Sequence, residues 1–415
     1  MGALLGYERA ESYTSPQYQT TVETHAGASR RYARRMTVPA ARASARTPRP
    51  ARKARAAAPV LVRHLRNGIE ESVHRGDIVE ADATGRILRQ LGDAERLVTL
   101  RSTVKPFGAV ALIEAGGIEA FDLQADEIAI LASSHSGEDV HVRTIQAMFR
   151  RAGVSQHLLA CGNEGMPLDP LTASRLARDG EKAGPVRHMC SGQHAVSLLL
   201  SRLRDWEMET YWHPDHPSQG AYRSAVARAY GTAPERLTTA IDGCGVQTYA
   251  FPLRQVAQAY AFLADPGALS AKDPRTAVAA SLVRIRDAML EAPEMVAGRH
   301  DRLDTSLMKA VPGKLISKAG MEALRGMAIL PGARASGNGS SGPSGMAVKI
   351  EDGDGYDRGT WAASVEALRQ AGVLDGQSLR VLARYHRPVS LDPHGRVAAE
   401  SVADFELAPV GELIG

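Results

Sequence analysis

Four residues spread along the chain constrain it most. They are Ser102 and Lys105 in Ser102-Thr103-Val104-Lys105, Ser134 in Ser133-Ser134-His135-Ser136-Gly137, and Lys318 in Lys318-Ala319-Gly320. Ser102 and Lys105 stand at i and i+3, so a helix puts both on one face. Ser134 and Lys318 meet only if the fold brings distant segments together. A lysine beside a serine matters chemically, because a neutral amine can take the proton that a serine nucleophile must lose.

Locally, Ser102 suits a helix N-cap, and Pro106 then falls in the first turn, where backbone N–H groups have no intrahelical partner. Val110, Leu112, Ile113 and Ala115 supply apolar surface, and Gly116-Gly117 supplies a stop. A serine at that end sits by the positive pole of the helix dipole, where an oxyanion is stabilised. Taken alone, the S-x-x-K pattern is weak. A capping serine beside a solvated lysine is the ordinary explanation.

The order of the elements (S-x-x-K, a serine loop, a late K-x-G) is the layout of serine acyl-transfer enzymes related to penicillin-binding proteins. The chain has no S-D-N, and K-T-G is only loosely met. Further motifs occur in sequence: Arg101-Ser102-x-x-Lys105-Pro106, Ser134-His135-Ser136-Gly137-Glu138, Cys190-Ser191-Gly192-Gln193-His194, Asp242-Gly243-Cys244-Gly245, Arg302-Leu303-Asp304-Thr305 and Lys318-Ala319-Gly320-Met321-Glu322. Together with Glu351-Asp352-Gly353-Asp354-Gly355, they resemble the asparaginase II family, the class 3 or Rhizobium etli-type L-asparaginases. The resemblance runs from about Pro59 to the C-terminus.

The resemblance implies an α+β, serine β-lactamase-like fold with a central antiparallel sheet and flanking helices. It implies hydrolysis of L-asparagine to aspartate and ammonia by two serine–lysine pairs, Ser102 with Lys105 and Ser134 with Lys318. It also implies a homodimer, and a zinc ion held by two cysteines and a lysine. The cysteines match Cys190 and Cys244, but the lysine position holds Gln193. An amide is a poor zinc ligand, so His194, at i+4 from Cys190, or water would have to complete the set. The plain alternative is that both cysteines are small buried apolar residues, with Gln193 binding substrate instead.

An amino-acid amide carries a carboxylate and an ammonium. Arg101, next to Ser102, is the expected partner of the first. Asp242 is the expected partner of the second, with an Asx-turn role as its alternative. His135 and His194 are candidates for substrate contact or proton transfer, or are structural histidines. Asp304-Thr305 reads as a helix cap. Ser102 is the expected nucleophile on helix-terminus grounds, with Ser134 the alternative.

The rest of the composition fits an enzyme body. With 44% hydrophobic residues in 415, the chain can bury a large core. Ile128–Leu131 and Met346–Ile350 read as strands, and Val140–Ala152 and Thr276–Met289 as helices. The run 332–345 is Gly/Ser-rich and reads as an exposed loop. Residues 1–58 differ in kind from the rest, carrying 11 Lys/Arg against 3 Asp/Glu, so they hold a net +8 and the remainder −4. Such a segment lacks the apolar surface to fold alone. It reads as a disordered basic extension before a catalytic domain spanning 59–415. A nucleic-acid or anionic-membrane arm and a targeting sequence are its alternatives.

Three cysteines argue against a disulfide framework and suit a cytoplasmic protein. Cys161 reads as structural. No apolar run suits a signal peptide or a membrane span, and a nucleic-acid partner is not expected. The competing functions are a related serine acyl-transfer enzyme, such as a glutaminase or β-lactamase-like protein, and a catalytically silent small-molecule binder.

Overall fold

The computed structural model describes residues 57–162, 167–334, 342–354 and 358–410. The basic extension read over 1–58 therefore lies outside the described residues, except for Ala57 and Ala58, and so does the centre of the Gly/Ser-rich run.

The chain opens with β1 (Val60–Arg66), β2 (Ile69–Ala81) and β3 (Ile87–Leu91). Asn67 and Gly68 take positive φ values of 47° and 79° between β1 and β2, the backbone that a two-residue hairpin turn with right-handed strand twist requires. Three short strands follow, β4 (Leu97–Thr99), β5 (Thr238–Ile241) and β6 (Gln247–Pro252), and make their own sheet in the order β4-β6-β5. The last five are β7 (Leu315–Gly320), β8 (Leu324–Ile329), β9 (Ser344–Ile350), β10 (Val389–Leu391) and β11 (Val397–Ala403). They complete an antiparallel sheet of order β10-β11-β1-β2-β9-β8-β7, with β3 pairing on β2.

Both faces of this sheet are covered, which is why β7, β8 and β9 are buried at nearly every position. On one face lies the helix Leu253–Ala264, with the helices Lys105–Glu114, Ala125–Leu131, Ser191–Leu203, Pro217–Ala229 and Ala279–Glu291 in the same apolar cluster. On the other face, the helices Leu303–Ala310 and Gly359–Gln370 pack with Ile78, Met327, Met346 and Val348. The fold is α+β, a helix–sheet–helix stack.

Two glycines let the helix Leu253–Ala264 sit close on the sheet. A Cβ on Gly345 would lie 2.0 Å from the carbonyl oxygen of Ala257, and one on Gly326 would lie 2.2 Å from the Tyr260 ring. Tyr260, thus seated, donates its hydroxyl to the carbonyl of Thr103 at 2.9 Å, tying the sheet-bound helix to the segment that carries Ser102.

Three local expectations change. Ile128–Leu131 is not a strand but the end of the helix Ala125–Leu131, started by a Gln124–Glu127 capping box in which the Gln124 N–H donates to Glu127 Oε2 at 3.0 Å. A short buried apolar run has no period by which to tell helix from strand. Thr276–Met289 divides into a 3-10 turn, Pro274–Val278, and the helix Ala279–Glu291. Ser344 and Gly345 leave the Gly/Ser-rich run to begin β9. Asp139–Ala152 is helical as expected.

Candidate active site

Ser102 does not cap a helix. It lies inside a 3-10 turn, Arg101–Val104, which runs directly into the helix Lys105–Glu114 with Pro106 in its first turn. The chain enters the turn already bent. Arg101 has φ 46° and donates its N–H to Thr248 Oγ1 at 3.0 Å, and Thr103 Oγ1 donates to the carbonyl of Leu100 at 2.6 Å.

Lys105 is buried, and its side chain runs away from Ser102. Its Nζ meets the Ser133 carbonyl at 2.7 Å, Ser134 Oγ at 3.2 Å, Cys190 Sγ at 3.3 Å and the Met189 carbonyl at 3.4 Å. Among the described residues, no hydrogen bond joins the Ser102 hydroxyl to Lys105. The i, i+3 contact that the spacing suggests is replaced by contact with the loop that follows Leu131.

Ser134 sits in that loop, anchored by its N–H to the carbonyl of Val296 at 2.9 Å. Lys318 reaches it from β7, where alternation turns Ile316, Lys318 and Gly320 toward the helix-rich face. Lys318 Nζ lies 2.7 Å from Ser134 Oγ and 2.7 Å from the carbonyl of Ala319. Burial, then the nearby Lys105 ammonium, push the Lys318 amine well below the usual lysine range. The result is a hydroxyl between two lysines, one of them readily neutral.

Behind Lys318 stands a polar cluster that the sequence did not announce. Asp304 is not a cap. Its carboxylate is buried, ion-paired with Arg325, and accepts from Ser317 Oγ at 2.7 Å and the Ala319 N–H at 2.9 Å. Burial pushes this carboxyl up, but Arg325, Lys318, Ser317 and the Ala319 N–H together hold it below the usual carboxylate range. An acid two residues after Arg302 and an arginine in the core strand β8 were the available signals.

A cavity of about 390 Å³ opens onto this arrangement, in the size range of small-molecule sites. Ser134, Met189, Asp301, Arg302, Asp304, Ala319 and Arg325 line it, and Leu168, Leu303, Met321 and Trp361 add apolar wall. Ser102 is not a lining residue. Arg302 donates to the carbonyl of Ser134 at 2.9 Å. Its loop is latched from below, with Glu138 accepting from the Arg299 N–H at 2.7 Å and Nε at 2.6 Å, and Asp169 meeting His300 Nδ1 at 2.9 Å.

Arg101 and Asp242, expected to hold the two ends of a substrate, hold each other instead. The Arg101 guanidinium donates to Asp242 Oδ1 at 2.8 Å, and the same oxygen takes the Gly243 N–H at 2.6 Å. Neither lines the cavity. His135 Nδ1 accepts from the Gly137 N–H at 3.1 Å, so its proton sits on Nε2, 2.8 Å from Ser191 Oγ. Burial, then His141 and Lys105, keep this ring neutral. His194 meets the Tyr211 hydroxyl at 2.5 Å, and burial lowers it to about 3. Neither histidine lines the cavity, and Gln193 is buried in the first turn of the helix Ser191–Leu203.

Cys190, Cys244 and Cys161 are free and buried. The Cys190 and Cys244 side chains are hydrogen-bonded to one another. Zinc in a structural site takes four donors. Here the His188 side chain hydrogen-bonds Cys190 and the Lys105 amine stands 3.3 Å from Cys190 Sγ, but among the described residues no three His, Cys, Asp or Glu donor atoms that include the two thiols lie close enough together to share one ion. The four donors of a structural zinc site are therefore not assembled on Cys190 and Cys244. No helix among the described residues is long and apolar enough to cross a membrane.

A family model described as L-asparaginase II matches residues 62–402. No curated protein matches the chain. Solved structures that resemble it include Mglu in its native form, 15% identical, covering 74% of this chain and 67% of that one, with a TM-score of 0.32. A probable glutaminase of Bacillus subtilis is 10% identical, covering 75% and 86%, with a TM-score of 0.31. A Bacillus glutaminase in 4.3 M NaCl is 12% identical, covering 72% and 92%, with a TM-score of 0.36. Superpositions this loose carry no argument, whereas a family match from β1 to β11 does. The chain is an amidohydrolase and belongs to the L-asparaginase II family.

Proposed function

We propose that this amidohydrolase converts L-asparagine to L-aspartate and ammonia, with Ser134 as the attacking hydroxyl. The observation that carries the reading is the single Ser134 oxygen lying 2.7 Å from Lys318 Nζ and 3.2 Å from Lys105 Nζ, at the wall of a cavity. Neutral Lys318 takes the hydroxyl proton while Ser134 Oγ bonds to the side-chain amide carbon. The carbon–nitrogen bond then breaks, and the amine leaves as ammonia with a proton returned from the lysine pair. Water next adds to the acyl-enzyme, the carbon–Oγ bond breaks, and aspartate leaves with Ser134 restored. Arg302 takes the substrate carboxylate and Asp301 the ammonium, since these charged groups line the cavity and Arg101 and Asp242 do not.

The test is ammonia release by the purified full-length chain from L-asparagine and from L-glutamine, with acyl-enzyme trapped by acid quench and its peptide mapped. Faster release from asparagine, with the acyl group on Ser134, is the expected result. An acyl group on Ser102 would overturn the choice of nucleophile while keeping the reaction. Because one methylene changes pocket binding by only about 1–3 kcal/mol, a preference for glutamine would move the substrate without moving the chemistry. A folded chain that releases ammonia from neither amide removes the reading.

A further inference from the structure

The cavity beside Ser134 is larger than asparagine and lined differently from it. At the share of about 30 Å³ that one water molecule takes in the liquid, the nine heavy atoms of asparagine would fill about 270 Å³, and bonded atoms sit closer than that. The cavity holds about 390 Å³. Asparagine is also polar all around one methylene group. Its amide, ammonium and carboxylate leave nothing to cover an apolar surface, yet Leu168, Leu303, Met321 and Trp361 make one here.

This wall is built in place. Trp361 lies in the first turn of the helix Gly359–Gln370, whose start Asp354 fixes by accepting from the Thr360 N–H at 3.0 Å and the Thr360 hydroxyl at 2.8 Å. The indole meets the Tyr385 ring edge to face, with centroids 4.8 Å apart, and Ser306 Oγ donates to the Tyr385 hydroxyl at 3.0 Å. Met321 opens the tight turn between β7 and β8, where Glu322 and Ala323 take φ values of 61° and 51°. The segment that ends in Asp354 also backs this turn, since a Cβ on Gly353 would lie 2.7 Å from Glu322 Oε2. One motif outside the serine–lysine machinery thus places two of the four apolar side chains. A surface fixed in advance costs little further ordering when a ligand covers it.

We propose that the wall is a subsite for the leaving amine, so that the chain cleaves β-amides of L-aspartate whose nitrogen carries an apolar group, such as the β-anilide, in preference to asparagine. Ser134 Oγ bonds to the β-carbonyl carbon, the carbon–nitrogen bond breaks, and the nitrogen takes a proton from the lysine pair and leaves as the free amine. Water then adds to the acyl-enzyme, the carbon–Oγ bond breaks, and aspartate leaves. The apolar group of the amine lies against Trp361 and Leu168 while Arg302 keeps the α-carboxylate. The activity rests on Ser134 acting as it does on asparagine, whereas the apolar subsite stands without it.

The experiment compares L-asparagine with L-aspartic acid β-anilide on the full-length protein, reading ammonia and aniline release, and measures the binding of both amides to Ser134→Ala by calorimetry. The expected result is a kcat/KM at least tenfold higher for the anilide and a Kd at least tenfold lower, since even one methylene in an apolar pocket is worth roughly that factor. Aniline is also a better leaving group than ammonia, so the wall is tested by its own variants. Trp361→Ala should lower the anilide-to-asparagine ratio of kcat/KM at least tenfold. Leu168→Ser, outside helix and strand, should lower it at least threefold, and thermal melts show that each variant is folded. Tighter binding of the anilide to Ser134→Ala, with neither amide cleaved by the unsubstituted protein, would support the subsite and remove the amidase reading. The proposal is overturned if the anilide binds no more tightly than asparagine, or if asparagine is cleaved and the anilide is not. It is also overturned if the folded variants leave the ratio unchanged.

Discussion

Lys318 Nζ and Lys105 Nζ approach the same atom, the Ser134 hydroxyl oxygen, from opposite layers of the fold, at 2.7 Å and 3.2 Å. Lys318 comes from the edge strand of the sheet and Lys105 from the first residue of the helix Lys105–Glu114 in the helical layer. Two ammonium groups this close disfavour one another, so burial and mutual repulsion leave Lys318 the neutral partner.

Replacing Ser134 with alanine removes the oxygen between them. Asparagine hydrolysis by Ser134→Ala should fall by about three orders of magnitude or more, the scale on which a lost nucleophile acts. Ser102→Ala should lose less, because its hydroxyl neither meets a lysine nor lines the cavity. Ammonia-release kinetics on both variants check this, and equal or reversed losses would return the attack to Ser102.

The pH profile follows from Lys318. A base works only when deprotonated, so kcat/KM should rise as pH climbs through the Lys318 pKa and level off above it. Lys105 holds that pKa down, so Lys105→Met should move the rising limb to higher pH. Asp304 favours the charged lysine, so Asp304→Asn should move the limb to lower pH. The residual rates of both variants, read across pH, report the two shifts. Limbs that stay fixed would mean that the titrating base is another group.

Arg302 lies at the cavity wall beside Ser134. A guanidinium that holds the substrate carboxylate contributes to ground and transition states alike, so Arg302→Gln should raise KM at least tenfold and change kcat less. Arg101→Gln should instead act through the Asp242 turn and lower stability. Steady-state kinetics paired with thermal melts separate the two.

Gly345 has no room for a side chain against the Ala257 carbonyl. Gly345→Ala must push the helix Leu253–Ala264 off the sheet, and should cost about 1–3 kcal/mol or more. A melting temperature lowered by several degrees is the expected readout, and an unchanged one would mean that the two layers are not in this contact.

Much of the site was legible in the sequence because its chemistry lies in short motifs. Ser102, Lys105, Ser134, Lys318, Cys190 and Cys244 each stood in one. What the sequence hid is partnership. Nothing in Ser102-Thr103-Val104-Lys105 tells that the lysine turns from its near serine to a distant one, since that depends on the loop at Ser133. Arg101 and Asp242 carry the right charges for a substrate, yet those charges satisfy each other first. Asp304 looked like a cap because a surface acid before Leu307 would be one. Its burial is set by Arg325, on another strand. The fold's missed signals were local ones, the Asn67-Gly68 turn and the Gln124–Glu127 box.

β7 ends its sheet, and a terminal strand leaves a row of unpaired donors that can recruit strands of other chains. On this strand the Ala319 N–H is taken by the Asp304 carboxylate at 2.9 Å, a buried charge that occupies one of those donors. A residue that sets the charge of Lys318 is thus also a guard against self-association. Asp304→Ala should therefore betray itself twice, as an amidase whose rising pH limb sits lower and as a protein that comes out of solution as ordered β-rich aggregate.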